Sequence, residues 1–327
     1  MRALVTGASG FLGGHVAAAL LAAGAQVRSF DRHEPRRELQ DAGVEPAIGD
    51  LLDADALARA LADCDAVFHL AAAYSYRRRD AALMAQVNVH GTRVLLDAAV
   101  RGPRRRIVHT STCATCGPVP GRPATEDDLP PQWELAIPYK RTKLAGERLV
   151  LDAAAQGADA LVVNPTVPVG PGDLRPTPTG KMVADVVHGR ARGYLAGSAL
   201  NIVDVQDVAA GELLAYEHGQ AGRRYLLGGE NLPMREVFAA LAGAVGRAPP
   251  RLAVPWALAY AAAATADAAL RPLGREPRML MLDEVRAGRL PIVFDDSRAR
   301  RELGYTSRPA REALAAAARA AVAGRDA

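Results

Sequence analysis

Residues 2–6, Arg-Ala-Leu-Val-Thr, run directly into Gly7-Ala8-Ser9-Gly10-Phe11-Leu12-Gly13, and an alanine- and leucine-rich stretch follows to residue 23. An apolar run, three glycines spaced three apart and a helical run leave few options: strand, tight turn, helix. Gly7 permits the sharp turn. Gly10 lets a pyrophosphate approach the backbone, and Gly13 lets the helix pack closely on the strand. The unpaired N–H groups of the first helical turn, with Phe11 and Leu12, then face the phosphates. The pattern predicts a dinucleotide site cradled by Gly7, Gly10, Phe11, Leu12 and Gly13.

The alternation continues. Strands are expected at 26–31, 44–49, 66–70, 106–111 and 160–163, and helices at 11–23, 53–62, 81–100 and 139–155, with Gly24 stopping the first helix. The fold class is α/β, a Rossmann-type doubly wound parallel sheet. Residues 165–180 are rich in Pro and Gly and read as a loop. Mostly helices follow, with one strand at 224–227. We therefore expect a dinucleotide-binding domain, 1–165, and a smaller, mostly helical substrate-binding domain, 166–327, some of whose elements return to the first sheet.

Asp31 ends the second strand, where a carboxylate accepts both ribose hydroxyls of NAD and repels a 2′-phosphate. Arg32 beside it could instead bind that phosphate, so NAD is favoured and NADP stays possible. Asp50 and Leu51 follow the third strand and would flank the adenine. Ala71 and Ala72 follow the fourth, where small residues let backbone lie along a cofactor.

Pro138-Tyr139-Lys140-Arg141-Thr142-Lys143 contains Y-x-x-x-K, which puts both side chains on one helical face. A phenol with a pKa near ~10 is a poor acid or base at neutral pH. A nearby ammonium, and the charge of an oxidised nicotinamide, should lower it for proton traffic with a hydroxyl. Only Lys140, Lys143 and Lys181 are lysine among 40 basic residues, so lysine at 143 is informative. Thr112, and after it Ser111, ends the fifth strand and could hold a substrate oxygen. Asn88, placed mid-helix, needs a partner and suits a role beside the Lys143 helix. Cys113 and Cys116 have metal or redox spacing, but Cys64 supplies no second pair, so no metal site is expected and packing behind the active strand is the reading. His69 reads as structural.

Together these residues resemble the extended short-chain dehydrogenase/reductases, the NAD-dependent epimerase/dehydratase group. The stretch Val163-Asn164-Pro165-Thr166-Val167-Pro168-Val169-Gly170-Pro171 resembles the dihydroflavonol-reductase-like branch. Arg175-Pro176-Thr177-Pro178-Thr179-Gly180 and Leu226-Leu227-Gly228-Gly229-Glu230-Asn231-Leu232 are similar to hopanoid-associated sugar epimerases. Phe294-Asp295-Asp296-Ser297 and Glu302-Leu303-Gly304-Tyr305 match the wider group. The resemblance implies Thr112, Tyr139 and Lys143 as the catalytic set. At the cofactor it implies Gly7, Gly10, Gly13, Asp31, Asp50, Leu51, Ala71, Lys143 and Pro165, with Asn88 positioning. It also implies Asn164 at the substrate, and a homodimer through the Asn88 and Tyr139 helices. Thr112 stands where Ser is commoner, and keeps the hydroxyl.

Composition narrows the rest. Half the residues are hydrophobic and the net charge is only +4, which excludes disorder as the main state. Three cysteines exclude a disulfide scaffold. The arginines are scattered, so no nucleic-acid partner is expected. Residues 252–270 are apolar but interrupted by Pro255, Thr265 and Asp267, and we expect a buried or cleft-lining helix, not a membrane span. The start of the chain has no secretory pattern, and a cytoplasmic location is expected. Three functions stay open: an NAD-dependent sugar epimerase, with hopanoid biosynthesis as a context; an NADPH-dependent ketone reductase of dihydroflavonol-reductase type; and a non-catalytic dinucleotide sensor. The substrate could be a sugar, a sugar-lipid or a polycyclic ketone.

Overall fold

The computed structural model describes residues 1–174, 177–277 and 281–323. Arg175 and Pro176 of the motif noted above lie outside the described residues. The first half builds β1 (Arg2–Thr6), α1 (Phe11–Ala22), β2 (Gln26–Asp31), α2 (Arg37–Asp41), β3 (Glu45–Ile48), α3 (Ala54–Leu61) and β4 (Ala66–His69). It continues with α4 (Ala81–Ala85), α5 (Thr92–Val100), β5 (Arg106–Thr110), α6 (Pro138–Ala155) and β6 (Ala160–Pro165). The second half builds β7 (Val167–Val169), α7 (Pro178–Val187), β8 (Gly193–Leu195), β9 (Ala199–Asp204), α8 (Val205–His218) and β10 (Arg224–Leu227). Then come β11 (Glu230–Pro233), α9 (Met234–Gly243), β12 (Leu252–Val254), α10 (Trp256–Leu270), α11 (Leu282–Ala287), α12 (Ser297–Leu303) and α13 (Ala310–Ala323).

Seven parallel strands form the main sheet in the order β10-β6-β5-β4-β1-β2-β3. Alternation along β1 explains the double cover. Ala3 and Val5 face the layer of α1 and α8, while Leu4 faces that of α3, α5 and α6, and all three are fully buried. The chain winds outward from β1 through β2 and β3, then crosses to β4. The strand order therefore reverses between β1 and β4, where open parallel sheets bind ligands. Thr6 secures this point: its Oγ1 accepts the Ala71 N–H at 3.1 Å and meets His69 Nδ1 at 2.8 Å. The structural reading of His69 holds.

Two expectations need correction. Residues 165–180 are not all loop, because β7 and the start of α7 lie there. β7 joins β9 and β11 in a three-stranded sheet that packs with α7, α9 and α13. Helix α10 is neither buried nor a wall of the cleft described below. It buries only Ala259, Ala263 and Asp267, and Leu258 is 64% exposed. Alanine buries too little apolar area to force a helix inward, so a one-residue-per-turn stripe against α11 satisfies it. Late elements lie against the first sheet: β10 pairs with β6, and α8 packs on α1. Among the described residues no helix is long and apolar enough to cross a membrane.

Candidate active site

The glycine turn closes on itself, with Gly10 N–H donating to Gly7 O at 2.9 Å. Gly7 has φ +79°, and a Cβ there would lie 2.7 Å from Ala71 N. A Cβ on Gly13 would lie 2.1 Å from Gly7 O. Both positions therefore require glycine for space, one across the β1–β4 reversal and one between turn and helix. Two clefts open on either side of this turn, with volumes of about 320 and 350 Å3, the size of small-molecule sites.

The first cleft is walled by Asp31, Arg32, Asp50, Leu51, Ala71 and Ala72. All six were expected at a cofactor. Asp31 Oδ2 already accepts the Ser9 N–H at 2.9 Å, which fixes its carboxylate against the turn. The second cleft joins Gly7, Gly10, Phe11, Leu12 and Gly13 to Ser111, Thr112, Tyr139, Lys143 and Pro165. These residues fit NAD(P). The turn leaves room for phosphates only because no Cβ is present, and the cleft on one side ends at an acidic residue suited to a ribose. The cleft on the other side ends at a phenol and an ammonium.

Local folding explains the catalytic set. Pro138 opens α6 at its first position, where its missing N–H costs nothing. Tyr139 and Lys143 then lie one turn apart on the cleft face. Lys143 Nζ donates to Thr110 O at 2.8 Å at the end of β5. Burial lowers its pKa to about 8, although the Glu147 and Glu212 carboxylates oppose that. Thr110 Oγ1 donates to Glu212 at 2.6 Å, and burial pushes that carboxyl up to about 8. Thr112 caps a short turn, accepting the Ala114 N–H at 3.3 Å, and hydrogen-bonds Tyr139. Ser111 Oγ is buried in the wall with no partner among the described residues.

The depression of the phenol pKa expected above includes the nicotinamide charge, and the protein groups alone shift the phenol the other way. Burial, with Tyr74 alongside, raises Tyr139 well above 10, and only the Thr112 hydrogen bond opposes it. The Lys143 ammonium gives one of its three N–H groups to the Thr110 carbonyl. The phenol therefore keeps its proton at neutral pH.

Asn88 and Asn164 line neither of these two clefts. Asn88 lies in π-helical turns between α4 and α5, is 3% exposed and brackets Ala73. Its Oδ1 accepts Ala73 N–H at 2.8 Å, and its Nδ2 donates to Ala73 O at 2.9 Å and Thr142 Oγ1 at 3.1 Å. It thus ties the segment after β4 to α6, the helix that carries Lys143. Gly146 makes this possible, since a Cβ there would lie 2.3 Å from Asn88 O. Asn164 is fully buried behind the wall. Its Nδ2 donates to Thr112 O at 3.1 Å, Thr115 Oγ1 at 3.0 Å and Glu147 Oε2 at 2.9 Å, so it supports Thr112 from below and does not meet substrate.

Sequence reasoning missed several residues. Tyr74 stacks on Tyr139 with ring centroids 4.1 Å apart, and its hydroxyl lies 3.3 Å from that of Tyr76. Lys140 lines the cleft in a buried ion pair with Glu134. Its rarity as a lysine was the available signal. Rarity alone does not suffice, because Lys181 forms an exposed pair with Asp185. Ile292 and Phe294 arrive from the far end of the chain; Phe294 opens the Phe294-Asp295-Asp296-Ser297 stretch, but nothing in that stretch points to the cleft. Cys113 and Cys116 are buried free thiols packed with Leu226 and Phe294. Among the described residues no His, Cys, Asp and Glu group is placed to hold a metal.

Residues 3–228 match the model of the NAD dependent epimerase/dehydratase family. The chain belongs to that family. It is 38% identical over 323 residues to sterol demethylase protein B of Methylococcus capsulatus, covering 96% of each chain. It is 34% identical to the 4-hydroxy-2-methyl-3-oxo-4-farnesyl-3,4-dihydroquinoline-1-oxide ketoreductase of Stigmatella aurantiaca, over 94% of this chain and 92% of that one. Among solved structures, a double mutant of the dTDP-glucose 4,6-dehydratase DesIV from Streptomyces venezuelae, with NAD bound, superposes with TM-score 0.80 at 25% identity, covering 100% of this chain and 98% of that one. The chain is an NAD(P)-dependent enzyme of the extended short-chain dehydrogenase/reductase type.

Proposed function

We propose that the enzyme interconverts a secondary alcohol and a ketone on an apolar, polycyclic or long-chain substrate. The observation that carries this reading is the wall beyond Tyr139. It is formed by Tyr74, Tyr76, Pro118, Val167, Ile292 and Phe294, and among the described residues it contains no Arg and no Asn. Its one further cation, Lys140, is neutralised by Glu134. A diphosphate would find no free countercharge there, whereas a polycycle of hopanoid size would bury apolar surface. NAD(P), when bound, takes up or supplies a hydride at its nicotinamide ring. Thr112 holds the substrate oxygen, and Tyr139 donates its proton to that oxygen as the ketone is reduced. Lys143 is placed to hold a cofactor ribose, and Asp31 to favour NAD over NADP. The names of the sterol- and quinoline-oxide-linked relatives agree with this reading.

Sugar epimerisation is the second reading, favoured by the hydroxyls of Ser111, Thr112, Thr177 and Thr179 around the same cleft. One experiment separates the two. Purified enzyme is given NADH or NADPH with a panel of steroid and triterpenoid ketones, and nicotinamide absorbance is followed. One cofactor consumed per ketone is expected, with Tyr139→Phe slowed by about 10²–10⁴-fold. Turnover of a nucleotide sugar without added reductant, on NAD retained through purification, would replace this reading with epimerisation. The same reading includes a homodimer through the Asn88 and Tyr139 helices.

A further inference from the structure

Helix α10 turns an uncharged apolar face to solvent. Its buried stripe faces α11, and its sole charge, Asp267, is turned inward onto Arg78 at 2.7 Å. The outer face carries Leu258 and exposed alanines, extended by Leu252 before the helix and Leu273 after it, each at least 60% exposed. Arginines rim this face. Arg251 precedes it, and Arg271 and Arg275 follow it. At its C-terminal end, Arg77, Arg79 and Arg275 converge with Leu270 on one open cleft. Glu276 in that cleft is engaged by the Arg79 N–H and faces Arg78 at 4.0 Å. The side chains of Arg77, Arg251, Arg271 and Arg275 make no ion pair or hydrogen bond among the described residues.

We propose that α10 is an interfacial helix that lays this face on an anionic phospholipid bilayer, with the arginine cleft taking a lipid phosphate. An uncharged apolar stripe edged by cations is the composition that partitions into the headgroup boundary. Fifteen residues of helix reach only about 22 Å, short of the ~30 Å hydrocarbon core, so the helix lies on the membrane and does not span it. Charge decides against a second copy as the occupant. A two-fold contact would set the arginine rim against itself, whereas lipid phosphates complement it. The location also suits the proposed reaction, on which this clause alone rests. Residues 74–79 carry both Tyr74, stacked on Tyr139, and the rim arginines, so the cleft mouth stands beside the lipid face.

The test is flotation of the full chain with phosphatidylcholine vesicles, with and without phosphatidylglycerol. Binding at least tenfold stronger to the phosphatidylglycerol vesicles is expected, and it should weaken in high salt. The double variant Leu252→Asp, Leu258→Asp should lose it. Arg77→Ala with Arg275→Ala should lower it roughly tenfold. These side chains lie at the surface, so melting temperature and cofactor binding should not move. Two results would overturn the proposal: equal flotation with both vesicle types, or a lipid-free oligomer that the leucine variants dissolve, which would make a second copy the occupant. Failure of ketone turnover would leave the vesicle result standing, so the two readings fail separately.

Discussion

Replacing Gly13 by alanine tests the cofactor cradle with a single methyl group. Carbon atoms in contact sit about 3.5–4.0 Å apart. The new Cβ would stand 2.1 Å from Gly7 O, 2.6 Å from Gly7 C and 3.0 Å from Ala8 N. All three are backbone atoms, so no side chain can swing away, and turn and helix must part by about 1 Å. Overpacking of this kind costs about 1–3 kcal/mol. The strain falls on the turn whose N–H groups would hold the phosphates. If the chain relieves it by opening the turn, cofactor affinity should fall about 10–100-fold, at ~1.4 kcal/mol per decade. Gly24→Ala is the control. It has φ +80° with nothing within 4 Å of its Cβ, so it should lose about 1 kcal/mol of stability through backbone strain and leave affinity intact. Calorimetric titration with NAD and NADP, alongside thermal unfolding, reads both. Wild-type affinity in the Gly13 variant would refute the cradle.

Two further outcomes concern the buried polar layer. Arg224 Nε lies 2.8 Å from Glu147 Oε1, with Glu147 nearly inaccessible, so Arg224→Met strands a carboxylate and should cost about 3–5 kcal/mol in urea unfolding, partly restored by adding Glu147→Gln. If the double variant is no more stable than the single one, the pair is not the cause. Burial, with the Lys143 charge, holds His69 at about 3 and His109 well below 6.5. Above pH 6.5 neither the folded nor the unfolded chain protonates these rings. Below it the unfolded chain takes protons that the fold refuses, so stability should fall as pH drops below 6.5, for His69 down to about 3, by at most about 1.4 kcal/mol per pH unit for each ring that stays neutral. His109→Gln should flatten that slope between pH 6 and 4 by one ring's share, and an unchanged slope would contradict the assignment.

The parts legible in sequence were those written in short spans. Gly7, Gly10 and Gly13 occupy seven residues, Tyr139 and Lys143 five, and in both cases one element fixes the geometry. Ala71, Asp31 and Thr112 were legible because parallel strands end at one edge. Asn164 misled, since a residue at a strand end can face the cleft or the layer beneath it, and the turn at Thr112 settles which. Asn88, polar and in need of a partner mid-helix, finds Ala73 and, on the Lys143 helix, Thr142. The surroundings of the phenol are not legible locally, because its burial and Tyr74 come from outside the helix that carries Tyr139 and Lys143.

Spacing within a few residues and the fixed periods of helix and strand were enough for the glycine turn, the parallel sheet and the face that carries Tyr139 and Lys143. Tertiary structure alone decided what stands opposite. Tyr74 over the phenol, Glu212 beneath Thr110, and Ile292 and Phe294 in the apolar wall all come from distant positions brought together by packing. It also decided that α10 lies outside, since a run of alanines has the hydropathy of a core helix and too little area to be held in one. Charge and burial at the site depend on these long-range neighbours, so its chemistry emerges only once the chain has closed around it.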